Sequence, residues 1–87
     1  MGTTVTFRFR CPGARSVTLA GDFNDWDVTA DPMTPDHRRE SWAVTLELAP
    51  GRYDYKFFVD GGNWWNDQNA PKVSNAWGSE NSYLDVE

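Results

Sequence analysis

The stretch Trp42-Ala43-Val44-Thr45-Leu46-Glu47-Leu48-Ala49-Pro50-Gly51-Arg52-Tyr53-Asp54-Tyr55-Lys56-Phe57-Phe58-Val59 decides the fold. Trp42, Val44, Leu46 and Leu48 share one parity, with Thr45 and Glu47 on the other. Tyr53, Tyr55, Phe57 and Val59 form a second such run, with Asp54 and Lys56 between them. A period of two marks a strand with one buried face, because successive side chains leave opposite sides of the pleat. Pro50-Gly51 separates the runs as a turn, so the segment is expected to fold as a β-hairpin. Asp54 and Lys56 then point out of the sheet.

The same alternation extends to both ends of the chain. Val5, Phe7 and Phe9 alternate with Thr4, Thr6, Arg8 and Arg10, and Cys11-Pro12-Gly13 stops that strand. Val17 and Leu19 mark a short strand closed by Gly21-Asp22. From Asp22 to Glu40 the chain is polar and interrupted by Pro32 and Pro35, which predicts a long connection with one short strand around Val28 to Met33. The last strand carries Leu84 and Val86 inward, Tyr83 and Asp85 outward. No stretch has helical periodicity. Roughly six to eight short strands with turn signals between them predict an all-β, antiparallel immunoglobulin-like β-sandwich. The 87 residues suffice for a single domain spanning 1–87.

Charge and composition narrow the function. There are 13 Asp and Glu against 8 Lys and Arg. Nucleic-acid binders need a basic stripe to neutralise phosphates, and His37-Arg38-Arg39 is too short to provide one. No apolar run is long enough to span a membrane, and no secretory signal is evident after Met1, which points to the cytoplasm. Cys11 is alone and cannot close an intramolecular disulfide. His37 has no companion ligands for zinc, Asp60 to Asn69 does not fit a calcium loop, and no cofactor is expected.

Five tryptophans stand out in so hydrophilic a chain. Trp42 has core parity. Trp26, Trp64, Trp65 and Trp77 instead sit in the polar segments 22–27, 63–67 and 75–78, where loops carry function. Clustered exposed aromatics mark a binding face. Indole suits a pyranose, whose axial C–H groups stack on a flat, electron-rich ring while its hydroxyls need paired donors and acceptors. Asn24, Asn66, Asn75, Asn81 and Lys56 lie near these tryptophans in sequence or parity.

Val17-Thr18-Leu19-Ala20-Gly21-Asp22-Phe23-Asn24-Asp25-Trp26, followed by Tyr53-Asp54-Tyr55-Lys56-Phe57-Phe58-Val59-Asp60-Gly61, resembles carbohydrate-binding module family 48. That family includes the glycogen-binding domain of the AMP-activated protein kinase β subunit and N-terminal domains of isoamylase, branching and debranching enzymes. The resemblance runs from about Val5 to Val86 and implies an early-set sandwich that binds α-1,4-glucan. It places Trp26 as the first stacking residue, Lys56 as a hydroxyl-bonding lysine, and Trp64, or Trp65 one place on, as the second stacking residue. Gly61-Gly62-Asn63 leaves that register open by one. Trp77-Gly78-Ser79-Glu80-Asn81 resembles the last binding loop, with Ser79 and Asn81 bonding hydroxyls. Kinase-type members usually carry leucine where this chain has Trp77.

The partners so implied are an α-glucan and a glucan-metabolising enzyme or kinase. The rival class is a protein-interaction or structural domain, docked through a sandwich edge. A glycosidase would need a carboxylate pair in a deep cleft, for which a domain of this size has little room, so the chain is not expected to be an enzyme.

Overall fold

The computed structural model describes residues 2–87; Met1, where the expected single-domain span begins, lies outside them. Nine strands follow in order: β1 (Thr3–Arg10), β2 (Val17–Gly21), β3 (Asp31–Pro32), β4 (Thr34–Asp36), β5 (Ser41–Leu48), β6 (Gly51–Val59), β7 (Asn63–Trp65), β8 (Lys72–Ser74) and β9 (Glu80–Val86). One sheet has the order β1-β5-β4. The other runs β3-β2-β6-β9-β8, with β7 also paired to β6. Every pairing is antiparallel. The chain is the expected all-β sandwich.

The two central strands do not form the expected hairpin. β5 pairs with β1 and β4, whereas β6 pairs with β2, β9 and β7, so the chain crosses from one sheet to the other at Ala49-Pro50-Gly51. Two strongly apolar faces gain more by opposing each other across the core than by lying side by side in one sheet. The corner has its own fastenings. Gly51 has φ +150, a conformation that L side chains avoid, and the Tyr53 hydroxyl donates to the Ala49 carbonyl at 2.7 Å.

The polar connection also departs from expectation. In place of one strand at 28–33 there are two short pairings on opposite sheets, β3 beside β2 and β4 beside β5. Met33, buried between them, is where the chain changes sheet, and its N–H is accepted by Val17 O at 2.8 Å. Prolines 32 and 35 shorten both pairings, since neither donates to a ladder.

Cross-sheet aromatics build the core. Phe9 stacks on Phe57 with centroids 4.3 Å apart, and Phe7 meets Tyr55 edge-on at 5.0 Å. Trp42 is buried with them, as its parity predicts. Burying each such side chain stabilises the fold by about 1.5–3 kcal/mol. A polar tie anchors the loop after β7: the Tyr55 hydroxyl donates to Asp67 Oδ2 at 2.7 Å, and the fully buried Ser82 hydroxyl accepts from the Asp67 N–H while donating to Asn66 Oδ1. Burial, reinforced by the bond to Asp67 and its charge, pushes the Tyr55 hydroxyl far above the usual phenol range, so it remains a donor.

Candidate functional site

The parity of β6 decides where a site can form. Tyr55, Phe57 and Val59 fill the core, so Asp54, Lys56 and Phe58 occupy the outer face of the larger sheet. Trp64 is the cross-strand partner of Phe58 and shares that face, its ring 4.7 Å from the Phe58 ring. Trp65 is the partner of Phe57 and therefore leaves the opposite side of β7. Where the sequence left two registers open, the structure brings Trp64 to the outer face and not Trp65.

Two loops rise over this face. The first is the 3-10 turn Asp22–Asn24 and the two residues after it. Gly21 begins it in a place with no room for a side chain: a Cβ there would lie 2.5 Å from the Asp54 carbonyl oxygen and 2.9 Å from the Phe23 ring. Asn24 closes the turn by accepting the Gly21 N–H and donating to Leu19 O and Asp31 Oδ2. Its polar atoms are thus engaged inside the protein. Asp25 and Trp26 both adopt left-handed conformations, φ +57 and +59. For a bulky residue this costs on the order of 1–3 kcal/mol and persists only when its surroundings enforce it. The result is an indole 6.3 Å from that of Trp64, the two planes inclined by 60°.

The second loop, Asn75 to Ser79, is wound around one amide. Asn75 Oδ1 accepts the N–H groups of Trp77 and Ser79 at 2.9 and 3.1 Å. Its Nδ2 donates to Ser79 Oγ and Asn81 Oδ1 at 2.8 and 2.9 Å. Held this way, the loop presents Trp77 almost wholly to solvent, 90% exposed. Asn66 has no such freedom, since it donates to Glu80 O and accepts from Ser82.

Together these parts enclose an open groove of about 720 Å³ lined by Trp26, Lys56, Trp64, Trp77, Ser79 and Asn81, and also by Asp22, Asp54, Asn75 and Ala76. Six of the seven sequence-predicted site residues meet there; Trp65 does not line it, although it is 52% exposed. Asn24 and Asn66, near the tryptophans in sequence, do not line it either. The rim offers hydroxyl partners of both kinds. Lys56 enters no ion pair among the described residues, the Ser79 hydroxyl accepts from Asn75 and can still donate, and Asn81 Nδ2 lies 3.4 Å from Asp54 Oδ2. Sequence reasoning missed Asp22 and Asp54 as lining groups. The parity of Asp54 with Lys56 was the available signal for one of them; for Asp22 it was only its place in the polar segment 22–27 that carries Trp26.

The fold and the groove define a small β-sandwich with an open, tryptophan-lined groove on the outer face of its larger sheet. The chain belongs to the family described as the glycogen recognition site of AMP-activated protein kinase, which matches residues 3–87. It is similar to 5'-AMP-activated protein kinase subunit beta-1 of Bos taurus and of Homo sapiens, each 36% identical over 74 residues, covering 85% of this chain and 26% of the relative. Subunit beta-2 of Mus musculus is 35% identical, with the same coverage. The chain thus spans about a quarter of the length of these relatives.

Proposed function

We propose that this domain binds α-1,4-glucan, as glycogen, starch or a maltooligosaccharide, without catalysing its turnover. One observation carries the reading: Trp26 and Trp64 form two neighbouring platforms inclined by 60° beside a polar rim. A flat β-1,4 chain calls for coplanar platforms, whereas an α-1,4 chain curves, and inclined indoles follow its successive rings. Trp77 would close on the exposed side of the chain, while Lys56, Ser79 and Asn81 bond hydroxyls. Both Asp22 oxygens accept N–H donors, from Trp26 at 3.0 Å and Asp54 at 2.8 Å. That arrangement engages both of its oxygens within the protein. Membership of a family named for a kinase's glycogen recognition site supports the ligand class, and supports a kinase or glucan-processing enzyme as the assembly in which the domain works.

Titration with maltoheptaose and β-cyclodextrin, followed by tryptophan fluorescence and heat, tests the proposal, with cellohexaose as control. Saturable binding of the α-glucans alone is expected. No binding at millimolar sugar, or equal binding of cellohexaose, would overturn it.

A further inference from the structure

Asp22 lies beneath Trp26 and joins it to the sheet. The last β2–β6 pair is Gly21 with Tyr55. Beyond it β2 has ended, and no β2 carbonyl is left to receive the Asp54 N–H. Asp22 Oδ2 takes that N–H at 2.8 Å, so the side chain acts as one more rung of the ladder. Its other oxygen, Oδ1, accepts the Trp26 indole N–H at 3.0 Å. A single carboxylate thus spans from the groove floor to the stacking platform. The need for such a tie is visible in the backbone, because Trp26 follows Asp25 in a left-handed conformation that its bulky side chain disfavours. The Trp26 N–H to Gly21 O bond, 2.9 Å, fixes the backbone of that turn. Among the described hydrogen bonds, the one to Asp22 fixes the ring.

We infer that Asp22 is the positioning residue for Trp26: its carboxylate holds the indole at the inclination that faces the groove before any ligand arrives. This rests on the groove being the glucan site. Preorganisation raises apparent affinity by the fraction of molecules already competent to bind. The chemistry requires a carboxylate specifically. Two N–H donors reach two different oxygens of the side chain, and a carboxylate presents an acceptor atom at both positions. Asparagine, though isosteric, has one acceptor atom, and in the same rotamer its NH2 group faces one of the two donors.

Asp22→Asn is therefore the informative substitution, read first in the ligand-free protein. Its amide oxygen is expected to keep the Asp54 N–H and lose the indole. The Trp26 indole resonance in a 1H–15N spectrum should be slow to exchange in the wild type, then shift and exchange faster in the variant. Maltoheptaose affinity should fall roughly 3–10-fold. In a Trp26→Phe background, which has no ring N–H, adding Asp22→Asn should change affinity by less than about 1.5-fold, because the two act through one bond. An unshifted indole signal, or an equal loss from Asp22→Asn in both backgrounds, would overturn the inference. A wild type that fails to bind maltoheptaose would refute the glucan reading instead, and the indole signals of the free protein would still decide whether Asp22 holds Trp26.

Discussion

Replacing each of two adjacent tryptophans on β7 by alanine should have very unequal consequences, because the register puts them on opposite sides of one strand. Trp64 pairs with Phe58 on the outer face and lines the groove; Trp65 pairs with Phe57 and leaves the other side. Removing an aromatic platform from a binding site costs about 1–3 kcal/mol, so Trp64→Ala should weaken maltoheptaose binding roughly 5–150-fold. The upper half of that range is favoured, because Trp64 also touches Trp26 and its loss would loosen the neighbouring platform. Trp65→Ala should change affinity by less than about 2-fold, since it removes nothing from the groove. The fold should survive both substitutions. Each tryptophan is about half exposed, and the Trp64–Phe58 ring pairing is worth about 0.5–1.5 kcal/mol beyond the area it buries, so a lower thermal midpoint with a retained cooperative transition is expected for Trp64→Ala. Calorimetric titration of the two variants beside the wild type, with melting curves on the same samples, is the assay. Equal losses from the two, or the larger loss from Trp65→Ala, would mean that the register or the assigned face is wrong.

Two further outcomes test the scaffold. Gly21→Ala places a methyl group 2.5 Å from a backbone oxygen that cannot move aside. It should destabilise by about 2–3 kcal/mol and lower the thermal midpoint by roughly 8–20 °C; an unchanged melting curve would refute the close approach. The Asp60 carboxylate accepts the N–H groups of Ser16 and Arg15, which hold its pKa below the usual range. A depressed carboxylate stabilises fully above its unfolded pKa and loses that contribution as pH falls through its folded value. The melting difference between wild type and Asp60→Asn should therefore be largest near neutrality and shrink below about pH 4; a gap that persists in acid would exclude this origin.

Much of the molecule could be read from alternation alone. The inward sets Val5-Phe7-Phe9, Val17-Leu19, Tyr55-Phe57-Val59 and Leu84-Val86 all face the core, wholly or partly buried, because strand periodicity is a local property of the pleat. Partnering was not legible. The runs at 42–48 and 53–59 looked like a hairpin and became opposed strands of different sheets, since periodicity says which face is apolar but not what covers it. The connection at 22–40 was misread for a related reason: its two short pairings are dictated by the edges of β2 and β5, which lie elsewhere in the chain.

The site divides along the same line. Residue type and polar surroundings were enough to single out Trp26, Trp64 and Trp77, and parity on β6 singled out Lys56, because large aromatics outside a core mark a candidate contact face. Sequence could not choose between Trp64 and Trp65. That choice belongs to the β6–β7 register, and a slip of one residue would reverse it. Nor could it place Asp22, whose two hydrogen bonds reach a neighbour four residues on and a strand 32 residues away. The sequence by itself did not determine the short strands β3, β4, β7 and β8; it did determine the long strands, their inner faces and the set of tryptophans and polar residues outside the core. Only the tertiary structure decided which of them share a groove, because that depends on which strands pair, and pairing is settled by contacts between segments far apart in the chain.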